Sequence, residues 1–143
     1  MRVSGASHIF GEISLSGAKN AALPIIVGAC LCSEDVVLKN MPTELNDVKV
    51  MISVLRQIGF PIDVEEHNIR IVNSLRSDLV FDVPMEAHKI RYSLLLLPLL
   101  LTHIGKVNNP MPGGCNLGDR KYDIHLQSLN AMGAKVEESE KGI

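Results

Sequence analysis

Cys115 lies in Pro112-Gly113-Gly114-Cys115-Asn116-Leu117-Gly118-Asp119-Arg120, a glycine-rich stretch without a counterpart in a chain that otherwise repeats itself. A thiol in that unmatched loop is the leading candidate for a site of chemistry. Three cations form the second group. Lys19, Arg91 and Arg120 each fall at or near an expected helix start, where the helix dipole disfavours positive charge by a few tenths to about 1 kcal/mol. A helix N-terminus offers free backbone N–H groups to an anion, and an added Lys or Arg makes it a phosphate or carboxylate site. Three cations at equivalent places beside a glycine-rich loop therefore point to an anion pocket. Lys89 is either a further member or a solvated charge.

The remaining reactive side chains carry less. Cys30 and Cys32 form a C-x-C on an apolar helix, without redox or zinc spacing, and both are expected in the core. His8, His67, His88, His103 and His125 show no paired ligand spacing, so no metal site is expected. His125, which follows the Cys115 loop, is the histidine placed near a ligand. Asp47 and Asp119 read as helix caps, and Asp123 suits either a ligand contact or the first turn of a helix.

The elements that must position these groups come in two copies. Val37-Leu38-Lys39-Asn40-Met41-Pro42 matches Val107-Asn108-Asn109-Pro110-Met111-Pro112 at an offset of 70 residues, and Ile58-Gly59 falls opposite Met132-Gly133 at an offset of 74. The second copy is thus about four residues longer, with the extra length around Cys115, and insertions in repeats map to loops and often to a functional face.

Periodicity predicts an N-terminal strand over Ile9 to Leu15, a helix from about Lys19 to Cys32 and a short strand over Val36 to Lys39. A helix follows with Val48, Met51, Ile52, Leu55 and Ile58 on one stripe, begun by Asn46 or Asp47 and closed by Gly59. Ile62 to Glu66 and Ile69 to Val72 form a hairpin around His67-Asn68. The second copy restates this order: a helix from about Glu86 to Thr102, a strand near Lys106 to Asn108, and the Cys115 loop. A helix with Tyr122, Leu126, Leu129 and Met132 on one side and a strand over Ala134 to Glu138 complete it. The fold class is α/β. Residues 1–16 form an N-terminal strand segment, 17–73 the first repeat unit and 85–143 the second, with the Cys115 loop at 110–120. Gly142-Ile143 begins a further strand, the pattern of a truncated protein.

Composition excludes several classes. With 46% hydrophobic and 21% charged residues over 143 positions, the chain can bury roughly 68% of its unfolded surface and needs neither disulfide nor metal for a core. A net charge of −2 and the absence of tryptophan argue against nucleic-acid binding. Three cysteines, an odd number, and a start without an apolar signal core point to the cytoplasm. Leu94 to Leu101 is interrupted by Pro98 and falls well short of the roughly 20 residues of a membrane span; it reads as a buried helix.

Ser16-Gly17-Ala18-Lys19-Asn20-Ala21-Ala22-Leu23-Pro24, then Ile90-Arg91-Tyr92-Ser93, then Pro112-Gly113-Gly114-Cys115 with Gly118, Arg120, Asp123 and His125, together resemble the UDP-N-acetylglucosamine 1-carboxyvinyltransferases. The resemblance runs from about Gly11 to Ile143, and the cysteine loop favours this branch over the related shikimate-pathway synthases. It implies repeated βαβαββ-type units of an inside-out α/β barrel, three to a lobe in a two-lobed protein, of which this chain holds the first strand, one unit and most of a second; the first strand belongs with the other lobe.

The implied activity is enolpyruvyl transfer from phosphoenolpyruvate to a hydroxyl of the nucleotide sugar, without a cofactor, in peptidoglycan precursor synthesis. By the same resemblance, Cys115 is similar in place to the family's general acid, which also bonds covalently to phosphoenolpyruvate. Arg120 and Lys19 look like the cations that hold phosphate and carboxylate, Arg91 like their companion, and Asn20 like a contact to the acceptor sugar; Asp123 and His125 belong to the same substrate site. Two departures bear on this. Lys121-Tyr122 replaces the usual Pro-Val beside the uridine, which leaves a different nucleotide acceptor as an alternative. The family's acidic base belongs to regions outside this chain, so the chain alone is expected to be inactive; a non-catalytic anion-binding module is the remaining alternative. Exposed helix flanks predict self-association or a missing partner lobe.

Overall fold

Val48, Met51, Ile52, Leu55 and Ile58 recur at helical spacing, and each is between 0 and 5% exposed. They lie on or at the end of the helix Asn46–Gln57 (α2), which is central to the fold. The computed structural model describes residues 2, 4–5, 8, 10–75, 78–113 and 121–143; the expectations for Cys115, Asp119 and Arg120 lie outside them. Val50 and Val54 are buried too, so α2 is covered on more than its apolar stripe. It packs against the helix Lys19–Ala29 (α1), the strand Ile62–Glu65 and the 3₁₀ turn Met85–Lys89. Each such side chain contributes about 1.5–3 kcal/mol relative to exposure.

The sheet on one side of α2 has three antiparallel strands: Val36–Leu38 (β1), Ile62–Glu65 (β2) and Asn68–Ile71 (β3), in the order β1-β3-β2. Val36 pairs with Ile71 and Leu38 with Ile69, while Ile62 and Val64 pair with the same two residues from the other side. Ile69 and Ile71 are fully buried as a result. The hairpin turn is Glu66-His67, one residue earlier than expected, with Glu66 at φ 50°.

Several expected elements are shorter or absent. Residues 10–18 form no strand, because a strand needs a neighbour for its N–H and C=O groups and the described residues supply none. Phe10, Ile13 and Leu15 stay 84–91% exposed. The first helix ends at Ala29, where Asn73 Nδ2 donates to the Ala29 and Glu34 carbonyls at 3.0 and 2.8 Å. Cys30 is buried, whereas Cys32, expected in the core, is exposed beyond that end.

The single helix expected from Glu86 to Thr102 is three pieces: 3₁₀ turns at Met85–Lys89 and Arg91–Leu95, then the helix Leu96–Ile104 (α3). Ile90 is extended (φ −128°, ψ 138°) and separates the turns. Pro98 has no N–H to give the Leu94 carbonyl, which favours the tighter winding before it. Leu96, Leu97, Leu99 and Leu100 are buried, so the leucine-rich stretch is a core helix, and no helix of the described residues is long and apolar enough to cross a membrane.

The second half carries the helix Asp123–Ala131 (α4). Leu126 and Leu129 join Leu94 and Leu97 in a small second core, with Tyr122, Val136 and Ile143 packed on it. Met132, expected on the same side, is 75% exposed. The strand expected at 106–108 is reduced to a single bridge of Asp82 with Asn108, and residues 134–138 form no strand; a bridge of Ser139 with Gly142 follows them. Asn109 and Ile143 exchange two backbone hydrogen bonds of 2.8 Å.

The two halves share local geometry at an offset of 74 residues. Gly59 (φ 109°) follows α2 and Gly133 (φ 98°) follows α4, and only glycine takes that backbone cheaply. Phe60 N–H bonds the Leu55 carbonyl and Ala134 N–H the Leu129 carbonyl, both at 3.0 Å. Two-residue turns then follow, Glu66-His67 after Glu65 and Glu140-Lys141 after Ser139.

Candidate active site

Lys19 is the first residue of α1, whose opening turn is held by the Ala21 and Ala22 N–H groups on the Ala18 carbonyl. Its cation has a partner within the chain: Lys19 Nζ lies 2.9 Å from Asp47 Oδ2. Asp47 sits in the first turn of α2 and makes no cap; the N-cap position is Leu45. A carboxylate in a first turn is favoured by the dipole that disfavours Lys19, so the pair meets the electrostatic need of both helix starts. Asn20, next in α1, is exposed, and Pro24 has no N–H for its carbonyl.

Arg91 opens the second 3₁₀ turn and is half-buried. Its Nη2 donates to the Lys121 carbonyl at 2.9 Å. This brings Arg91 to the residues that begin α4, where Asp123 and His125 are exposed and the His125 N–H bonds the Tyr122 carbonyl. Arg91 therefore touches the segment that leads into α4, the helix that carries Asp123 and His125. Lys19 and Asn20 sit apart in sequence at the start of α1, which packs on the Arg91 turn. Lys89 is paired with Glu86 at 3.4 Å.

Tyr122 turns inward. Its hydroxyl bonds Glu138 Oε2 at 3.2 Å and Met111 Sδ at 3.7 Å. Burial, followed by the neighbouring Glu138 carboxylate, raises its pKa above the ordinary phenol value.

Two contacts have no sequence signal, because they join residues more than twenty positions apart. Ser53 Oγ donates to Glu86 Oε2 at 2.9 Å and Gln57 Nε2 to the same oxygen at 3.1 Å, which holds the Met85–Lys89 turn on α2. The Ser53 hydrogen bond leads in lowering the Glu86 pKa, with smaller help from Lys89 and Gln57 and opposition from partial burial. Second, His88 Nδ1 lies 2.6 Å from the Met111 carbonyl, just before the glycine-rich stretch.

The family model for EPSP synthase (3-phosphoshikimate 1-carboxyvinyltransferase) matches residues 3–143. The chain belongs to that family. Within the EPSP synthase family it is similar to proteins named UDP-N-acetylglucosamine 1-carboxyvinyltransferase. That of Thermotoga maritima is 42% identical over 136 residues, covering 94% of this chain and 32% of the relative. That of Cellvibrio japonicus is 42% identical over 138 residues, with the same coverage. A more distant one, from Campylobacter jejuni subsp. doylei, is 35% identical over 139 residues, 96% of this chain and 32% of the relative. This family member thus spans about a third of the length of the curated relatives it matches.

Proposed function

We propose that the chain is the N-terminal part of an enolpyruvyl transferase that moves the enolpyruvyl group of phosphoenolpyruvate to the 3′-hydroxyl of UDP-N-acetylglucosamine in the cytoplasm, for peptidoglycan precursor synthesis. The observation that carries this is identity of 42% to named carboxyvinyltransferases along nearly the whole chain. In this reading the units 17–73 and 85–143 are successive repeats of an inside-out α/β barrel. The matched ends of α2 and α4 at Gly59 and Gly133 support it.

The chemistry requires a proton at the methylene carbon of phosphoenolpyruvate while the sugar hydroxyl attacks the adjacent carbon. The Cys115 thiol gives that proton, and the hydroxyl proton passes to a base outside this chain. The resulting ketal loses a proton from the new methyl group and expels phosphate, restoring the double bond. Lys19, Arg91 and Arg120 hold the phosphate and carboxylate. Asn20 contacts the sugar, and Asp123 and His125 complete the acceptor side.

The alternative acceptor reading rests on Lys121-Tyr122. Because Tyr122 bonds Glu138 and Met111, only Lys121 remains in its support. The test is phosphate release by the full-length protein. Turnover with UDP-N-acetylglucosamine is expected to exceed that with other nucleotides, and Cys115→Ser is expected to lower it by about 100-fold or more, the scale of a lost general acid. Unchanged turnover in Cys115→Ser would reject the mechanism, and preference for another nucleotide would reject the acceptor.

A further inference from the structure

We propose that His88 is a positioning residue for the Cys115 segment: its ring holds the backbone that leads into residues 114–120, as Arg91 holds the backbone that leaves them. The inference rests on the transferase reading and adds to it a residue that no motif marks.

Four observations converge on His88. A carbonyl only accepts hydrogen bonds, so the 2.6 Å contact to Met111 requires the hydrogen on Nδ1. Gly113, two residues on, has no room for a side chain: a Cβ there would run into the His88 carbonyl and approach its ring carbon Cε1. The backbone of residues 111–113 is therefore laid directly on His88. The Met85–Lys89 turn is itself fixed, because Ala87 and Ile90 on either side of His88 are 0 and 1% exposed and Glu86 is tied to Ser53 and Gln57 on α2. Finally, Arg91 Nη2 grips the Lys121 carbonyl at 2.9 Å. Residues 88 and 91, three apart on one short buried-backed stretch, thus hold both stems of the segment that contains Cys115 and Arg120.

His88 is exposed, so its loss should change global stability little and the placement of the thiol more. In the full-length protein, Cys115 alkylation by iodoacetamide, followed by peptide mass spectrometry with and without phosphoenolpyruvate, reports that placement apart from turnover. His88→Ala is expected to change the alkylation rate and lower kcat by about 3- to 10-fold, the scale of one hydrogen bond. The acceptor KM should stay within about twofold. His88→Asn, whose amide nitrogen replaces Nδ1, is expected to restore both readouts, and Gly113→Ala to reproduce the loss.

Wild-type alkylation and kcat in His88→Ala would overturn the proposal, as would His88→Asn impaired as fully as His88→Ala. If the unaltered full-length protein releases no phosphate, the transferase reading fails, and the alkylation comparison still decides the role of His88.

Discussion

At residue scale, the dipole of α1 disfavours Lys19 at its first position, and Asp47 offsets it from 2.9 Å away. The two side chains are 46 and 32% exposed, and such surface pairs contribute about 0–1 kcal/mol. A phosphate or carboxylate arriving at Lys19 therefore competes with a weakly held carboxylate of the same chain. Glu86 allows a pH test of a second charge. Its folded pKa is lowered, chiefly by the Ser53 hydroxyl. A lowered carboxylate contributes stability in full above the unfolded pKa of about 4.3 and loses it as pH falls through the folded value. The gap in thermal midpoint between the wild type and Glu86→Gln should be fully present at pH 7 and shrink as pH falls below the unfolded value of about 4.3. A gap that does not shrink toward acid would contradict the assignment.

At the scale of elements, Gly133 offers a clean measure of what ends a helix. No atom lies within 4 Å of where its Cβ would stand, and its φ is +98°, so Gly133→Ala tests backbone conformation alone. It should cost about 1–2 kcal/mol by urea unfolding; a neutral result would show that α4 ends for another reason. Both glycines were legible in the sequence because a 3.6-residue stripe followed by glycine is a local signal. The stripe of α2 was legible for the same reason. The hidden features are those in which distant residues decide. Pro98 and the extended Ile90 divide the expected 86–102 helix into turns, Asn73 closes α1 from 44 positions away, and the strand expected before Ser16 has no neighbour among the described residues. The candidate site divides likewise: Lys19, Arg91, Asp123 and His125 could be singled out by type and place, whereas the partners of Asp47, Glu86 and His88 emerge only from folded contacts.

At the scale of the whole molecule, large apolar side chains stand open to solvent. Phe10, Ile13 and Leu15, on a stretch without strand partners among the described residues, and Met85, Ile124 and Met132, on or beside helical turns, are all more than 70% exposed. Unpaired backbone edged by apolar side chains invites association. The 143-residue chain should therefore show an apparent mass that rises with concentration in light scattering, and Phe10→Ser with Ile13→Ser and Leu15→Ser should reduce the rise. A strictly monomeric wild type at high concentration would count against this.

The two cysteines near the end of α1 have a use of their own. Cys32 stands at the surface while Cys30 is wholly enclosed, so the molecule carries a fast and a slow clock two residues apart. Modification of the first records ordinary access to reagent. Modification of the second must wait for the core around it to open, and the ratio of the two rates is a label-based gauge of how often that core comes apart.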